Sequence, residues 1–298
     1  VMDGRWPVIL TLVVLLAGCA PAVEPGRTES PGASPPTSAR PSSAVTTASS
    51  AAPTASAPDP VVTPTPAAHT GLVYFVVDTT RGLRLAREPR SGATDAKGAI
   101  EAMIAGPTDP DYVSSWPKDT RVLAVDETAG VITVDLSGEA RGANVGAAAE
   151  AALVQQLVWT VTEAADPTAS VLATIEGEPA SWGHLSWDEP IGRDEPLDVR
   201  LLVGINSPGE WETVTSPVRL SGEANVFEAT LPWIVMTMDG ATVQEGFVNT
   251  REGQTFAPWE LTLTLPPGSY VLEVYESDPS GGLSGRPPDR DSRNFTVA

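Results

Sequence analysis

Few side chains in this 298-residue chain could do chemistry, and their scarcity narrows the reactions open to it. There is one cysteine, Cys19, and two histidines, His69 and His184. A Ser-His-Asp triad sets an imidazole between a nucleophile and a carboxylate. Because His69 lies in a proline-rich tract, such a triad would have to use His184, in a Trp182-Gly183-His184 loop. The nearest approach to a nucleophile elbow, Gly282-Leu283-Ser284-Gly285-Arg286, has arginine where the last glycine should stand. GxGxxG, Walker and HExxH patterns do not occur. Asp109-Pro110-Asp111 and Asp289-Arg290-Asp291 each set two carboxylates close together and could offer oxygen ligands to Ca²⁺. Neither runs on to the glycine and distal glutamate of an EF-hand, so both read as solvated loop charge. No catalytic, cofactor-binding or metal residue is assigned, no cofactor is expected, and the chain reads as a non-enzyme.

Five tryptophans, Trp182, Trp187, Trp211, Trp233 and Trp259, lie between or within strand-like runs of the C-terminal half. Exposed and coplanar, they could stack on the sugars of a cell-wall polysaccharide; buried, they are core. The sequence leaves both readings open, the second being the better supported by composition alone.

Cys19 ends an apolar run. Residues 8–17 are apolar except Thr11, whereas a helix crossing a bilayer needs roughly 20 such residues. A short apolar core followed by small residues reads as a secretory signal. Leu16-Ala17-Gly18-Cys19 resembles the lipobox of bacterial lipoproteins. That resemblance implies cleavage after a signal peptide at 1–18 and acylation of Cys19 with diacylglycerol and fatty acids such as palmitate. Two or three chains, at about 0.8 kcal/mol per buried CH₂, give stable anchoring. With no second cysteine, the domains that follow cannot hold a disulfide or a thiolate metal site.

Between residues 20 and 70 stand 11 Pro, 16 Ser or Thr and 12 Ala among 51 positions, without an aromatic residue. Such a stretch cannot bury enough apolar surface to offset its ordering entropy, and a disordered tether over 19–70 is expected. Its reach is on the order of 40 Å as a coil and about 160 Å extended. That suits a spacer between the outer face of the cytoplasmic membrane and the cell wall.

Composition changes at Gly71. Residues 71–298 carry a net charge of −19, shared almost evenly between 71–193 and 194–298. A polyanion would be repelled, so nucleic acid is excluded as a partner, and direct binding to anionic lipid is disfavoured. Solubility is the simplest account of the acidity.

In 71–193, residues 72–77 read as a strand apolar on both faces, and Thr94 as the cap of a helix over 95–105 with Ile100, Met103 and Ile104 on one side and Gly106-Pro107 as its stop. Segments 121–126 and 131–137 predict a hairpin whose second strand alternates Ile132, Val134 and Leu136 with polar residues. Asn144 would cap a longer helix carrying Ala147, Ala151, Val154, Val158, Val161 and Ala165 on one stripe, and 171–176 a last strand. Two helices on a small mixed sheet follow, an α+β domain. Tyr74-Phe75-Val76, Arg90, the run from Ala99 through Pro107, Trp116-Pro117, the run from Val131 through Ser137, the Gln156-to-Thr162 segment and Ile175-Glu176-Gly177 resemble the GerMN domain. That family occurs in sporulation, spore-germination and other exported lipoproteins of Gram-positive bacteria. The resemblance implies an assembly or interaction module, related in fold to ring-building domains of sporulation channels, and implies no catalytic residue. Trp159, off the main stripe of the long helix, is expected at a domain interface or over the sheet edge, with plain packing favoured.

From 194 to 298 no helical period survives. Strand-like runs at 197–205, 217–222, 226–238, 241–249, 259–265, 270–276 and 294–297 are separated by turn signals, Asp239-Gly240 among them. Asp-Gly between apolar runs predicts a hairpin with a type I′ turn. Seven strands in about 100 residues suggest an all-β immunoglobulin-like sandwich without a disulfide. Ile205-Asn206-Ser207-Pro208, the run from Ser216 through Ala229 with its Gly222-x-Ala224, Pro258-Trp259-Glu260 and Tyr275-Glu276-Ser277 resemble Gmad2, the immunoglobulin-like domain of spore-germination proteins. Together these features predict an envelope lipoprotein, lipid-anchored at Cys19, that presents the two domains to an envelope protein partner, with self-assembly possible. The second reading is a cell-wall glycan binder using exposed tryptophans.

Overall fold

The computed structural model describes residues 70–298 except Asn144, Gly183 and 278–284. The signal peptide, Cys19 and most of the tether lie outside the described residues, as do His69, the Asn144 cap and Ser284. Among the described residues no helix is long and apolar enough to cross a membrane.

The first domain opens with a hairpin, β1 (Thr70–Thr79) and β2 (Gly82–Ser91). Val73, Tyr74, Phe75 and Val76 are all buried because each face of β1 is covered. Val73 and Phe75 join the main core, while Tyr74 and Val76 meet Leu85 and Trp159 in a smaller cluster. Helix α1 (Ala96–Ala105) follows, then β3 (Val122–Thr128), β4 (Val131–Leu136), helix α2 (Ala147–Ala164), β5 (Ser170–Ile175) and the short β6 (Glu178–Pro179), β7 (Ser181–Trp182) and β8 (Leu185–Ser186). Strands β3 to β6 form one sheet in that order; β4 and β5 run parallel across α2 and the other pairs are antiparallel, so the sheet is mixed.

Local chemistry explains the element ends. The cap of α1 is Asp95, one residue later than expected: its Oδ1 accepts the Gly98 N–H at 2.7 Å. Gly106 ends the helix at φ 92°, ψ 169°, a conformation that costs little only for glycine. Ala129-Gly130, at φ 54° and 78°, makes the two-residue turn between β3 and β4. Helix α2 carries more than a stripe: Leu153 through Thr162 are buried all round, since the helix touches β1, β2, α1 and β5. Trp159 packs, as expected, 5.4 Å from the Tyr74 ring.

A short helix α3 (Pro196–Val199) leads into the sandwich: β9 (Val203–Ser207), β10 (Glu212–Val214), β11 (Val218–Ala224), β12 (Thr230–Thr237), β13 (Thr242–Asn249), β14 (Ala257–Leu263), β15 (Gly268–Tyr275) and β16 (Arg290–Val297). One sheet has the order β10-β16-β15-β12-β13, the other β14-β11-β9. Their inward residues, among them Leu220, Leu231, Val235, Trp259, Leu272 and Phe295, make one core. The Asp239-Gly240 hairpin forms, but the turn differs from type I′: only Gly240 of the pair has positive φ, at 87°. Thr237 N–H donates to the Ala241 carbonyl and Gly240 N–H to the Thr237 carbonyl, giving a three-residue loop. Gly222 in the Gly222-x-Ala224 motif has a steric cause. A Cβ there would stand 1.9 Å from the Gly204 carbonyl oxygen and 2.7 Å from the Trp259 indole.

Candidate functional site: the seam between the two domains

Both domains lie within one compact unit, and their contact is polar. It centres on Arg293, which is 0% exposed. Strand β16 alternates strictly, so Asp291, Arg293, Phe295 and Val297 all point inward. Phe295 and Val297 enter the sandwich core, whereas Asp291 and Arg293 reach the first domain. Arg293 Nη1 bonds Asp109 and lies 3.3 Å from Asp291 Oδ1. Its Nη2 donates to Tyr112 Oη at 3.0 Å, to the Arg87 carbonyl at 3.2 Å and to the Ile205 carbonyl at 3.4 Å. Tyr112 Oη in turn donates to Asp291 Oδ1 at 2.5 Å, and the other Asp291 oxygen accepts the Ile205 N–H at 2.7 Å.

Two further clusters flank this one. Arg81, in the β1–β2 turn, pairs with Asp289 at 2.6 Å, and Asp289 also accepts the Leu202 N–H at 3.2 Å. Arg87 and Arg200 converge on Glu223 at 3.0 and 2.5 Å, while Arg87 Nε donates to Asn206 at 2.9 Å. The Arg200 guanidinium also stacks 4.1 Å from the Phe256 ring centre. Behind Asp109, Glu88 accepts the N–H groups of Thr108 and Asp109 at 3.0 and 3.2 Å and pairs with Arg90 at 3.2 Å.

Burial sets the electrostatics. It pushes the Asp109 carboxyl up to about 7, outweighing the Arg293 guanidinium that pulls it down. It raises Asp291 against the same guanidinium, and raises the Tyr112 phenol with help from the Asp291 charge. Burial also opposes the charge of Arg293, yet Asp291, Tyr112 and Asp109 together hold that group above its ordinary value. At the other end, burial raises Glu223 but Arg87 and Arg200 prevail and hold it below the usual carboxylate range.

The carboxylates expected to be solvated loop charge are therefore something else. Asp109, Asp289 and Asp291 are buried and bonded to arginine, tyrosine and backbone N–H groups. Among the described residues no cluster of metal-ligating side chains forms. Asp111 alone of the four is exposed; it accepts the Ser292 hydroxyl at 3.2 Å, at the rim of an open cleft of about 580 Å³ that Asp78 and Glu273 also line. His184 sits between β7 and β8 with its side chain 89% exposed, and its Nδ1 is 3.9 Å from Glu150, so it enters no triad there. Of the five tryptophans four are buried. Trp182 and Trp187 donate to the Ala140 and Val171 carbonyls at 2.7 and 3.0 Å, and Trp233 and Trp259 line the sandwich core. Trp211 stands out at 56% exposed. A platform of coplanar rings for glycan is thus not what these residues build.

Arg293, Tyr112, Arg87, Glu88 and Glu223 escape the sequence reading. A signal for Arg293 existed. Asp291 and Arg293 keep the period-two phase of Phe295 and Val297, so extending that strand backward turns both inward.

Residues 72–181 match the Germane family model, described as sporulation and spore germination, and residues 202–283 match Gmad2, the immunoglobulin-like domain of bacterial spore germination. Together the two matches take in most of the folded region. Solved structures resemble parts of it. A Clostridium perfringens protein described as a lipoprotein is 21% identical and aligns over 41% of this chain and 87% of its own, at a TM-score of 0.31. The first GerMN domain of the sporulation protein GerM from Bacillus subtilis is 25% identical, over 36% and 84% of the two chains, at a TM-score of 0.29. The tandem GerMN domains of GerM are 18% identical, over 66% of this chain and 62% of theirs, at a TM-score of 0.31. No curated protein matches the chain. The region matching Germane gives Arg81, Arg87, Asp109 and Tyr112 to the seam, and the second domain gives Glu223, inside the Gmad2 match, and Asp289, Asp291 and Arg293, which follow it.

Proposed function

We propose that the protein is a non-enzymatic envelope lipoprotein, acylated at Cys19 and held by its Pro/Ser/Thr/Ala tether at the outer face of the cytoplasmic membrane. There the Germane and Gmad2 domains act together as a binding surface for an envelope protein. One observation carries the reading. The acidic groups that the sequence offers for metal or acid–base chemistry, Asp109, Asp289 and Asp291, are engaged in joining the two domains. They join the two domains into one surface instead of lining a reaction site. The lipobox-like Leu16-Ala17-Gly18-Cys19 supports the anchor.

The test uses the full chain in a Gram-positive host fed a radiolabelled palmitate. Incorporation into the wild type and its loss in Cys19→Ala, with release of the variant from membranes, is the expected result. A label retained by Cys19→Ala, or none in the wild type, would overturn the anchor. Crosslinking in intact cells followed by purification should then recover a defined envelope protein. Recovery of the chain alone, or only with wall polysaccharide, would refute protein binding.

A further inference from the structure

The seam's charges do not balance. At one end two carboxyl groups, Asp109 and Asp291, share the single guanidinium of Arg293; at the other, Arg87 and Arg200 share Glu223. Groups facing Asp109 come from every neighbouring element. Arg293 and Asp291 approach from β16, Tyr112 and Asp111 from its own loop, Glu88 with its partner Arg90 from β2, and the Glu210 charge from the loop before β10. That neighbourhood holds more acid than base. Two buried carboxylates beside one cation cannot both ionise without a large cost, and protonating one of them relieves it.

We propose that the seam is a proton-sensitive clasp: Asp109 holds a proton while the domains are docked through Arg293 and gives it up when they part. Docking takes up one proton from solvent, so the clasp is tightest in mild acid and slackens as pH rises. The direction follows from where Asp109 sits. Docked and buried, its carboxyl titrates near 7; exposed by parting, it returns to the ordinary 3.8. A raised carboxyl stabilises the docked form fully below the lower value, and that stabilisation is lost as pH climbs through the higher one. Across this window of about three pH units the docking constant falls by at most about tenfold per unit, a ceiling near a thousandfold. Glu223 acts oppositely but lower: its carboxylate is held below 4.5, so its contribution fades only in stronger acid. The two trends together place the maximum below pH 5.

Two measurements on the full chain decide the matter. Carboxyl ¹³C NMR should show Asp109 titrating near 7; titration at 4 or below would overturn the proposal whatever the variants do. Hydrogen exchange should then follow the Leu201 N–H, which donates to the Leu85 carbonyl at the edge of the first-domain core where the chain passes into β9, against that of Val134 inside that core. After correction for intrinsic exchange, Leu201 protection should fall several-fold per unit from pH 5 to 7 while Val134 holds steady. Asp109→Asn, which keeps the size and a hydrogen-bonding oxygen, should flatten the Leu201 trend. An unchanged trend in that variant, or equal trends at Leu201 and Val134, would refute the clasp.

Discussion

Arg293 and Asp109 lie 184 residues apart in sequence and meet in a buried hydrogen bond between the first and second domains. The guanidinium could not be buried alone. Removing the guanidinium would leave Asp109 and Asp291 facing each other in a dry seam, which typically costs about 3–5 kcal/mol. Arg293→Met should therefore lower unfolding stability by that order. Arg141→Met, which breaks the exposed pair with Glu176 at 2.8 Å, should cost under about 1 kcal/mol. Urea denaturation of the two variants checks the contrast, and equal losses would contradict the account of the seam.

Gly222 is held by backbone, not by a flexible side chain. Because a methyl there would press on the Gly204 carbonyl and the Trp259 indole, Gly222→Ala should separate β9 from β11 and lose about 1–3 kcal/mol or more. Gly209→Ala, whose added Cβ would have no neighbour nearer than 3.6 Å, is the control and should stay within about 0.5 kcal/mol. Thermal melting distinguishes them.

Tryptophan burial can be read in solution. Trp187→Ala should cost about 3–5 kcal/mol, since the residue is fully buried beside Trp182 at 6.2 Å and donates to Val171. Trp211→Ala should change stability by about 0.5 kcal/mol or less. Iodide quenching of fluorescence supplies the second check, because Trp211 should account for most of the quenchable emission. Broad quenching of the other rings would revive the stacking platform that the fold argues against.

What the sequence made legible depended on whether local pattern and tertiary environment agree. The strand at 131–136 and helix α1 show alternation or a stripe, and both stand as expected apart from a one-residue shift of the α1 cap to Asp95. Strand β2 was not legible, because Arg84, Arg87, Glu88, Pro89 and Arg90 make Gly82–Ser91 look like a solvated loop. Its charges are tolerated because Glu223, Asn206 and the N–H groups of Thr108 and Asp109 meet them, partners that only the fold brings near. The same holds for Asp109, which Arg293 meets from the other domain, and for Asp291, which Tyr112 meets from the other domain. At Asp239-Gly240 the dipeptide signalled the hairpin correctly but not its loop length, which the Thr237 and Ala241 hydrogen bonds determine.

Glu223 offers a pH test that is independent of Asp109. Arg87 and Arg200 hold its carboxyl below 4.5, so the stabilisation it contributes is present above that value and disappears as pH falls through the lowered folded value. Glu223→Gln keeps the shape and one accepting oxygen but cannot ionise, leaving two arginines without a counter-charge. The variant should be less stable than the wild type at pH 6, by about 1–3 kcal/mol, as for hydrogen bonds to charged groups. That gap should narrow as both proteins are acidified below 4.5 and through the lowered folded value, where the wild-type carboxyl itself takes up a proton. Denaturant midpoints measured at intervals over this range check the sign: a gap that stays constant or widens in acid would mean that Glu223 is neutral in the folded protein.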